Sequence, residues 1–500
     1  MRKLYAIITI FVLILLTGCN KKTVTISFEL DGRIIPEITG KPGSKISPLP
    51  VPYKFGYDFD GWYINENLNT PFNLDVMPDK DITLYGGWLA NNGFGLQFNL
   101  LDDNNYEVSG YTSDWYNVII PNEFEGRPVT RIGSYAFNSK LIKNITLPES
   151  ITEIGEKAFY NCTRLESINL PANLIKIGKQ AFERCQMLKN ITIPGNVQEI
   201  GISAFRYCDL LSSVNFNEGI TKIENFAFAN CRNMKTISFP ESLTTISKFA
   251  FSYCESLEMV TFPNNLQRID DSAFANCLLL REITIPESVK ELGTAVFREC
   301  INLTTATINS LTDISTELFY ECYNLKNVNI IASTKINSFA FGNCNSLKEI
   351  KLPNTLIEIG ENAFYQAGLQ SIIIPNSVVA IGNMAFMGNR YLKDVVISNS
   401  VTSIGNYAFA ECISLTNINL PSYLKTLEVS MFFNCSSLES ITLPSSLKVI
   451  KETAFFNSGL QTINIPNKVE LIGNGAFKKC SSLKSVTFAN SVTSLVIERE

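Results

Sequence analysis

The chain has 500 residues, 45% of them apolar, and a net charge of −5 with its Lys and Arg scattered along the length. That composition excludes global disorder, leaves room for more than one domain, and offers no basic stripe for a nucleic acid. There is no His at all, which removes the commonest general base, the usual partner of a Ser or Cys nucleophile and the commonest metal ligand together, so no catalytic, metal or cofactor site is expected and only carboxylate chemistry stays open.

Residues 1–19 have the layout of an export signal: Arg2 and Lys3, an apolar run from Leu4 to Leu16, then the small residues Thr17 and Gly18. A run of this length is too short to span a bilayer comfortably. The stretch Leu16-Thr17-Gly18-Cys19 resembles a bacterial lipobox, and that resemblance implies lipid modification of Cys19 and a membrane-anchored lipoprotein on the bacterial cell surface. The alternative is an ordinary secretory signal followed by an incidental Cys. Either way the mature chain is extracytoplasmic.

Residues 20–92 read as a small separate domain, with alternating strand-like runs such as Val24-Thr25-Ile26-Ser27-Phe28 and Ile82-Thr83-Leu84-Tyr85 broken by Gly and Pro. Val24–Phe28 with Asp31-Gly32, Gly43, Pro48, Gly56-Tyr57-Asp58-Phe59-Asp60-Gly61-Trp62-Tyr63 and Leu84-Tyr85-Gly86-Gly87-Trp88 resembles the Listeria–Bacteroides repeat, also called the internalin B-repeat. The resemblance implies a β-grasp-like fold serving as a surface spacer or interaction unit, without catalysis. Arg33 departs from it, because the family commonly has a second Gly there, which puts the geometry of the first turn in doubt. Trp62 and Trp88 are expected in the core, since so small a domain needs bulky residues to build one.

Residues 93–130 hold strand-like pieces (Tyr106-Glu107-Val108, Asn117 to Pro121) that do not yet repeat, and they sit where a solenoid needs a cap. From residue 131 to 500 the chain is an array. Phe159 has counterparts at 182, 205, 228, 251, 274 and 297, then at 319, 341, 364, 386, 409, 432, 455 and 477, and a shorter first copy ends on Phe137. A fixed period of this length is the mark of a solenoid, in which one rung cannot bury its apolar face without its neighbours.

One rung reads as follows: Leu165 opens it, Ile168 and Leu170 alternate inward as a short strand, and Pro171 ends that strand. Leu174 and Ile177 point inward on the return, Gly178 allows a turn, and Ala181-Phe182 closes through a short or helical turn to Cys185. The Leu-x-x-Ile-x-Leu-Pro core with Ile-Gly-x-x-Ala-Phe-x-x-Cys resembles the BspA-type leucine-rich repeat. That resemblance implies a mainly β, curved, right-handed leucine-rich-repeat solenoid with a parallel strand ladder, about 75 Å long at a strand spacing of about 4.8 Å. The sequence stops inside what reads as another rung, so either the charged tail covers the last strand or the chain pairs end to end. The oligomeric state stays open.

Twelve of the thirteen Cys occupy one repeat position, which also accepts Ala367, Asn389 and Ser458. Equivalent side chains on neighbouring rungs run parallel about 4.8 Å apart, whereas a disulfide needs Cβ atoms converging to about 3.8 Å. Packed free thiols are therefore expected ahead of disulfides or metal sites.

Function is sought on the outward strand residues, whose central row runs from Thr146 to Thr487 and is polar except at Ile373 and Val396. With Lys351, Tyr391 and Lys393 these two form a candidate binding patch; the competing account is local repacking of two divergent rungs. Lys189, Lys235, Arg281, Lys326, Lys348 and Lys393 give the flanking positions a basic lean, which either steers acidic partners or is simply a soluble surface. The acidic pairs Asp102-Asp103 and Asp270-Asp271 are expected to be solvated turn residues. The expected function is an adhesion or protein-binding scaffold for an extracellular protein or glycan, the BspA resemblance adding that such arrays occur in bacterial adhesins. The rivals are glycan capture for an uptake system, a structural spacer, and a carboxylate-only hydrolase.

Overall fold

The computed structural model describes residues 23–54, 57–90, 95–489 and 496–497; Cys19 and its signal lie outside them. The chain divides into two compact units, one made of the residues up to Phe94 with Asn117–Pro121, the other of the remainder.

The first unit is a four-stranded mixed sheet of β1 (Val24–Glu29), β2 (Ile38–Gly40), β3 (Tyr57–Tyr63) and β4 (Ile82–Ala90), in the order β2-β1-β4-β3. β1 and β4 pair in parallel at the centre and the outer strands pair antiparallel. Val24, Ile26 and Phe28 alternate onto the buried face with Trp62 and Leu84. The Trp62 ring lies 4.6 Å from that of Phe28 and its Nε1 donates to the Pro50 carbonyl at 2.8 Å, which satisfies the indole N–H. Trp88 is half-buried. The Arg33 guanidinium lies 5.4 Å over its ring, so the residue that departs from the family pattern helps cover this indole. The preceding turn forms with positive φ at Asp31 and Gly32.

The second unit is a β-solenoid, and no helix occurs among the described residues. Its outward-facing strands, such as Asn190–Ile193 and Ser213–Phe216, pair in parallel, with Ile191 against Val214. This ladder is broken into sheets of two or three strands. A second ladder, which the sequence reading did not separate, runs on the return segments. Two-residue strands such as Lys176–Ile177, Glu199–Ile200 and Lys222–Ile223 continue the strands Leu96–Leu100, Tyr106–Tyr111 and Arg127–Ile132 into one sheet of 11 strands. The Ile of these return strands is buried, as at Ile177, Ile200 and Ile223, so the apolar face closes from both sides.

A third link runs through the closing turns. In residues 135–140 alternate N–H groups bond to the next rung (Tyr135 to Glu156, Phe137 to Ala158, Ser139 to Tyr160), while the intervening ones close turns within the rung, such as Asn138 to Tyr135. Tyr135 and Ser139 have φ of 61° and 58°, the sign that the third position of a type II turn demands, and Gln180 with Arg184 and Ser203 with Tyr207 repeat the pair. The closing segment is thus a ribbon of turns rather than a helix.

The period-setting Phe side chains stack face to face from Phe137 to Phe477, buried from Phe137 to Phe455 and half-buried at Phe477. Centroid separations run from 5.0 Å for Phe182–Phe205 to 6.0 Å for Phe409–Phe432. Each buried ring contributes about 2–3 kcal/mol of apolar transfer. Leu170, expected inward, is half-buried, whereas Ile193 and Ile285 at the same position are fully covered.

Gly178 opens the expected turn, its carbonyl accepting from the Ala181 N–H at 3.2 Å, but it does so without positive φ. A Cβ there would meet the Gly155 carbonyl carbon at 2.7 Å, so the residue lets successive rungs approach backbone to backbone.

Candidate ligand-binding face

The outward strand row inherits its direction from period-two alternation. In Ser371–Ile374 and Asp394–Ile397 the residues Ile372, Ile374, Val395 and Ile397 are buried, which forces Ile373 and Val396 into solvent. These two are partners in register and are 68% and 51% exposed. An adjacent β-branched pair on an otherwise polar face leaves apolar area uncovered.

Next to this pair the strand ladder stops. The strand Asn327–Ile330 ends one three-stranded sheet and Ser371–Ile374 begins another, while the rung between them, Glu349–Leu352, joins neither. Ile350 and Leu352 remain buried, so the rung still closes the core from below. A concavity of about 990 Å³ opens at this break, lined by Lys326, Asn329, Lys351, Ile373, Asn376 and Val396 among others. Of the five patch residues read from the sequence, the structure brings Lys351, Ile373 and Val396 to this concavity. Tyr391, 64% exposed, and Lys393 do not line it.

A second concavity of about 830 Å³ on the same face is lined by Met259, Glu282, Glu287, Leu311 and Ile331. Leu311 and Ile331 escaped the sequence reading. A signal was present: Asn309 and Ile331 stand where neighbouring rungs carry the strand-ending Pro286 and Pro353.

The Cys position is interior. Each thiol donates to the carbonyl oxygen of the Phe in the preceding rung, from 3.0 Å for Cys162 to Phe137 to 3.4 Å for Cys254 to Phe228. All twelve described cysteines are free. Burial pushes the thiols of Cys162, Cys254 and Cys435 up to about 12, against an ordinary 9.0. These are inert packing groups at neutral pH.

Among the described residues no group of three or more His, Cys, Asp or Glu is arranged to hold a metal ion. Both members of the acidic pair Asp270-Asp271 are ion-paired, Asp270 within its own rung and Asp271 with the preceding one. Asp270 pairs with Arg268 at 2.6 Å and Asp271 with Lys248 at 2.8 Å, and the Lys248 hydrogen bond holds the Asp271 carboxyl below its usual value. No helix among the described residues is long and apolar enough to cross a membrane.

Repeat period, Phe stack and paired ladders define a leucine-rich-repeat solenoid. The chain belongs to the BspA-type leucine-rich repeat family, whose pattern matches residues 130–258, 221–335, 312–430 and 402–497. Residues 25–86 match the Listeria–Bacteroides repeat domain.

Among solved structures the chain is similar to a leucine-rich cell surface protein of Faecalibacterium prausnitzii, at 29% identity over 79% of this chain and 94% of that one, with a TM-score of 0.37. It is also similar to a leucine-rich repeat protein of Bacteroides ovatus, at 27% identity over 81% and 98% of the two chains, with a TM-score of 0.47.

Proposed function

We propose that this protein is a bacterial cell-surface lipoprotein, anchored through Cys19, whose solenoid is an adhesion or protein-binding scaffold acting through its outward strand face. Membership of a leucine-rich-repeat surface-protein family supports a scaffold that presents an extended face. The observation that carries the reading is the exposed, in-register pair Ile373 and Val396 beside the concavity at the ladder break. Apolar side chains held outward on a rigid ladder provide the water-excluding contact around which binding energy concentrates.

Glycan capture is the second reading, and the polar strand row favours it over a bare spacer. It lacks aromatic platforms, however, since no Phe, Tyr or Trp occupies the central row.

The test is binding of the full-length chain to paired panels of extracellular proteins and glycans. Saturable binding to proteins is the expected result. Binding confined to glycans favours the second reading, and binding to neither panel leaves the spacer. Cys19→Ala is expected to abolish incorporation of a labelled fatty acid and to release the chain from the membrane fraction.

A further inference from the structure

The charges and the backbone around the ladder break narrow the kind of partner the concavity fits. Lys326 and Lys351 line it from neighbouring rungs, and Lys348 and Lys393 are exposed on the same face nearby. Among the described residues none of the four has a carboxylate within the 4.0 Å that defines an ion pair, whereas elsewhere in the array Lys143 pairs with Glu166 at 3.5 Å and Lys335 with Glu358 at 2.9 Å. Of the nearby acids, Glu349 also lines the concavity, while Asp394 does not line it and accepts from Asn417 at 2.7 Å. Two lysines against one glutamate in the lining leave the concavity with a net positive charge beside its apolar pair.

The floor adds a second, independent feature. The backbone N–H and C=O groups of Glu349–Leu352 take no hydrogen bond from either neighbouring rung among the described residues. Such groups need partners, and an extended peptide supplies donors and acceptors in alternation along its length. The other rung outside the ladder, Ser440–Leu443, turns Ser440 and Thr442 outward and has no such apolar pair beside it.

We infer that this concavity docks an extended acidic segment of a partner protein, with an apolar side chain seated against Ile373 and Val396 and flanking carboxylates facing Lys326 and Lys351. The inference rests on the reading of the strand face as a binding surface. Long-range attraction at the rim sets the association rate and its salt dependence, while the apolar seat sets the residence time.

The experiment pans a library of short linear peptides displayed on phage against the full-length chain, against Lys326→Glu/Lys351→Glu and against Ile373→Asp/Val396→Asp. Unchanged thermal midpoints establish that the variants are folded. The expected result is enrichment of peptides with an apolar anchor flanked by Asp or Glu, whose affinity falls at least about tenfold on both variants and on raising salt from about 50 to 500 mM. Enrichment of neutral or basic peptides lost only on Ile373→Asp/Val396→Asp overturns the acidic-partner inference and leaves the face as a binding surface. Peptides selected equally by all three proteins remove the concavity itself. Binding of a sulfated glycan in place of any peptide also overturns the inference.

Discussion

The thiol of Cys162 donates to the carbonyl oxygen of Phe137, one rung earlier, at 3.0 Å. The same oxygen accepts the N–H of Lys140 within its own rung, so the thiol supplies its second hydrogen bond. A residue at this position must be small and tolerate burial, and Cys adds a weak donor of little desolvation cost that Ala367 forgoes. The regularity of the Cys follows from the regularity of the Phe carbonyl beneath it.

Asn389 shows what another donor costs there. Its Nδ2 donates to the carbonyls of Phe364 and Phe386 at 2.7 and 2.9 Å, but its buried Oδ1 has no partner. Asn389→Cys is expected to stabilise the protein by about 1 kcal/mol, because it removes the orphaned acceptor and keeps one donor. The urea midpoint of the purified variant checks this. The reverse change, Cys254→Asn, is expected to lower the midpoint.

The buried thiols predict loss of stability in alkali. Their pKa is raised on folding, so the folded state binds these protons more tightly than the unfolded state. Their contribution is complete below about pH 9 and is lost as pH climbs toward about 12. Thermal midpoints between pH 7 and 11 are expected to fall beyond pH 9, and to fall less in a variant with Cys162, Cys254 and Cys435 replaced by Ala. Thiol reagents at pH 8 are expected to react with the eleven buried array cysteines only after unfolding.

Gly178 is predicted to be intolerant of a methyl group. Gly178→Ala drives a Cβ to within 2.7 Å of backbone and is expected to cost about 2 kcal/mol by overpacking, read from denaturant unfolding. Lys179→Ala, on the exposed residue beside it, is expected to change little.

Position along the stack should grade the cost of losing a Phe. Phe205 is fully buried between Phe182 and Phe228, and Phe205→Ala is expected to cost about 4 kcal/mol. Phe477 is half-buried, so Phe477→Ala is expected to cost less and to leave the rest of the array folded. Circular dichroism melts of the two variants distinguish these outcomes.

The period, the Phe stack and the interior Cys were legible because each leaves the same residue type at the same spacing. The return ladder was not, since two residues such as Lys176–Ile177 are too short to show an alternation. The closing ribbon was hidden too: its positive-φ positions hold Tyr135, Gln180, Ser203 and Phe226, which carry no common turn chemistry. Ile373 and Val396 stood out in sequence as apolar residues in a polar row. The break beside them did not, because Glu349-Ile350-Lys351-Leu352 keeps the pattern of a paired strand and loses its partners only in three dimensions.

The most direct test of the strand-face account is the affinity of Ile373→Asp/Val396→Asp for whichever extracellular protein the full-length chain binds most tightly. The account predicts at least about a tenfold loss with an unchanged thermal midpoint, as expected for charges placed at an apolar anchor. Unchanged affinity in a folded double variant would contradict it.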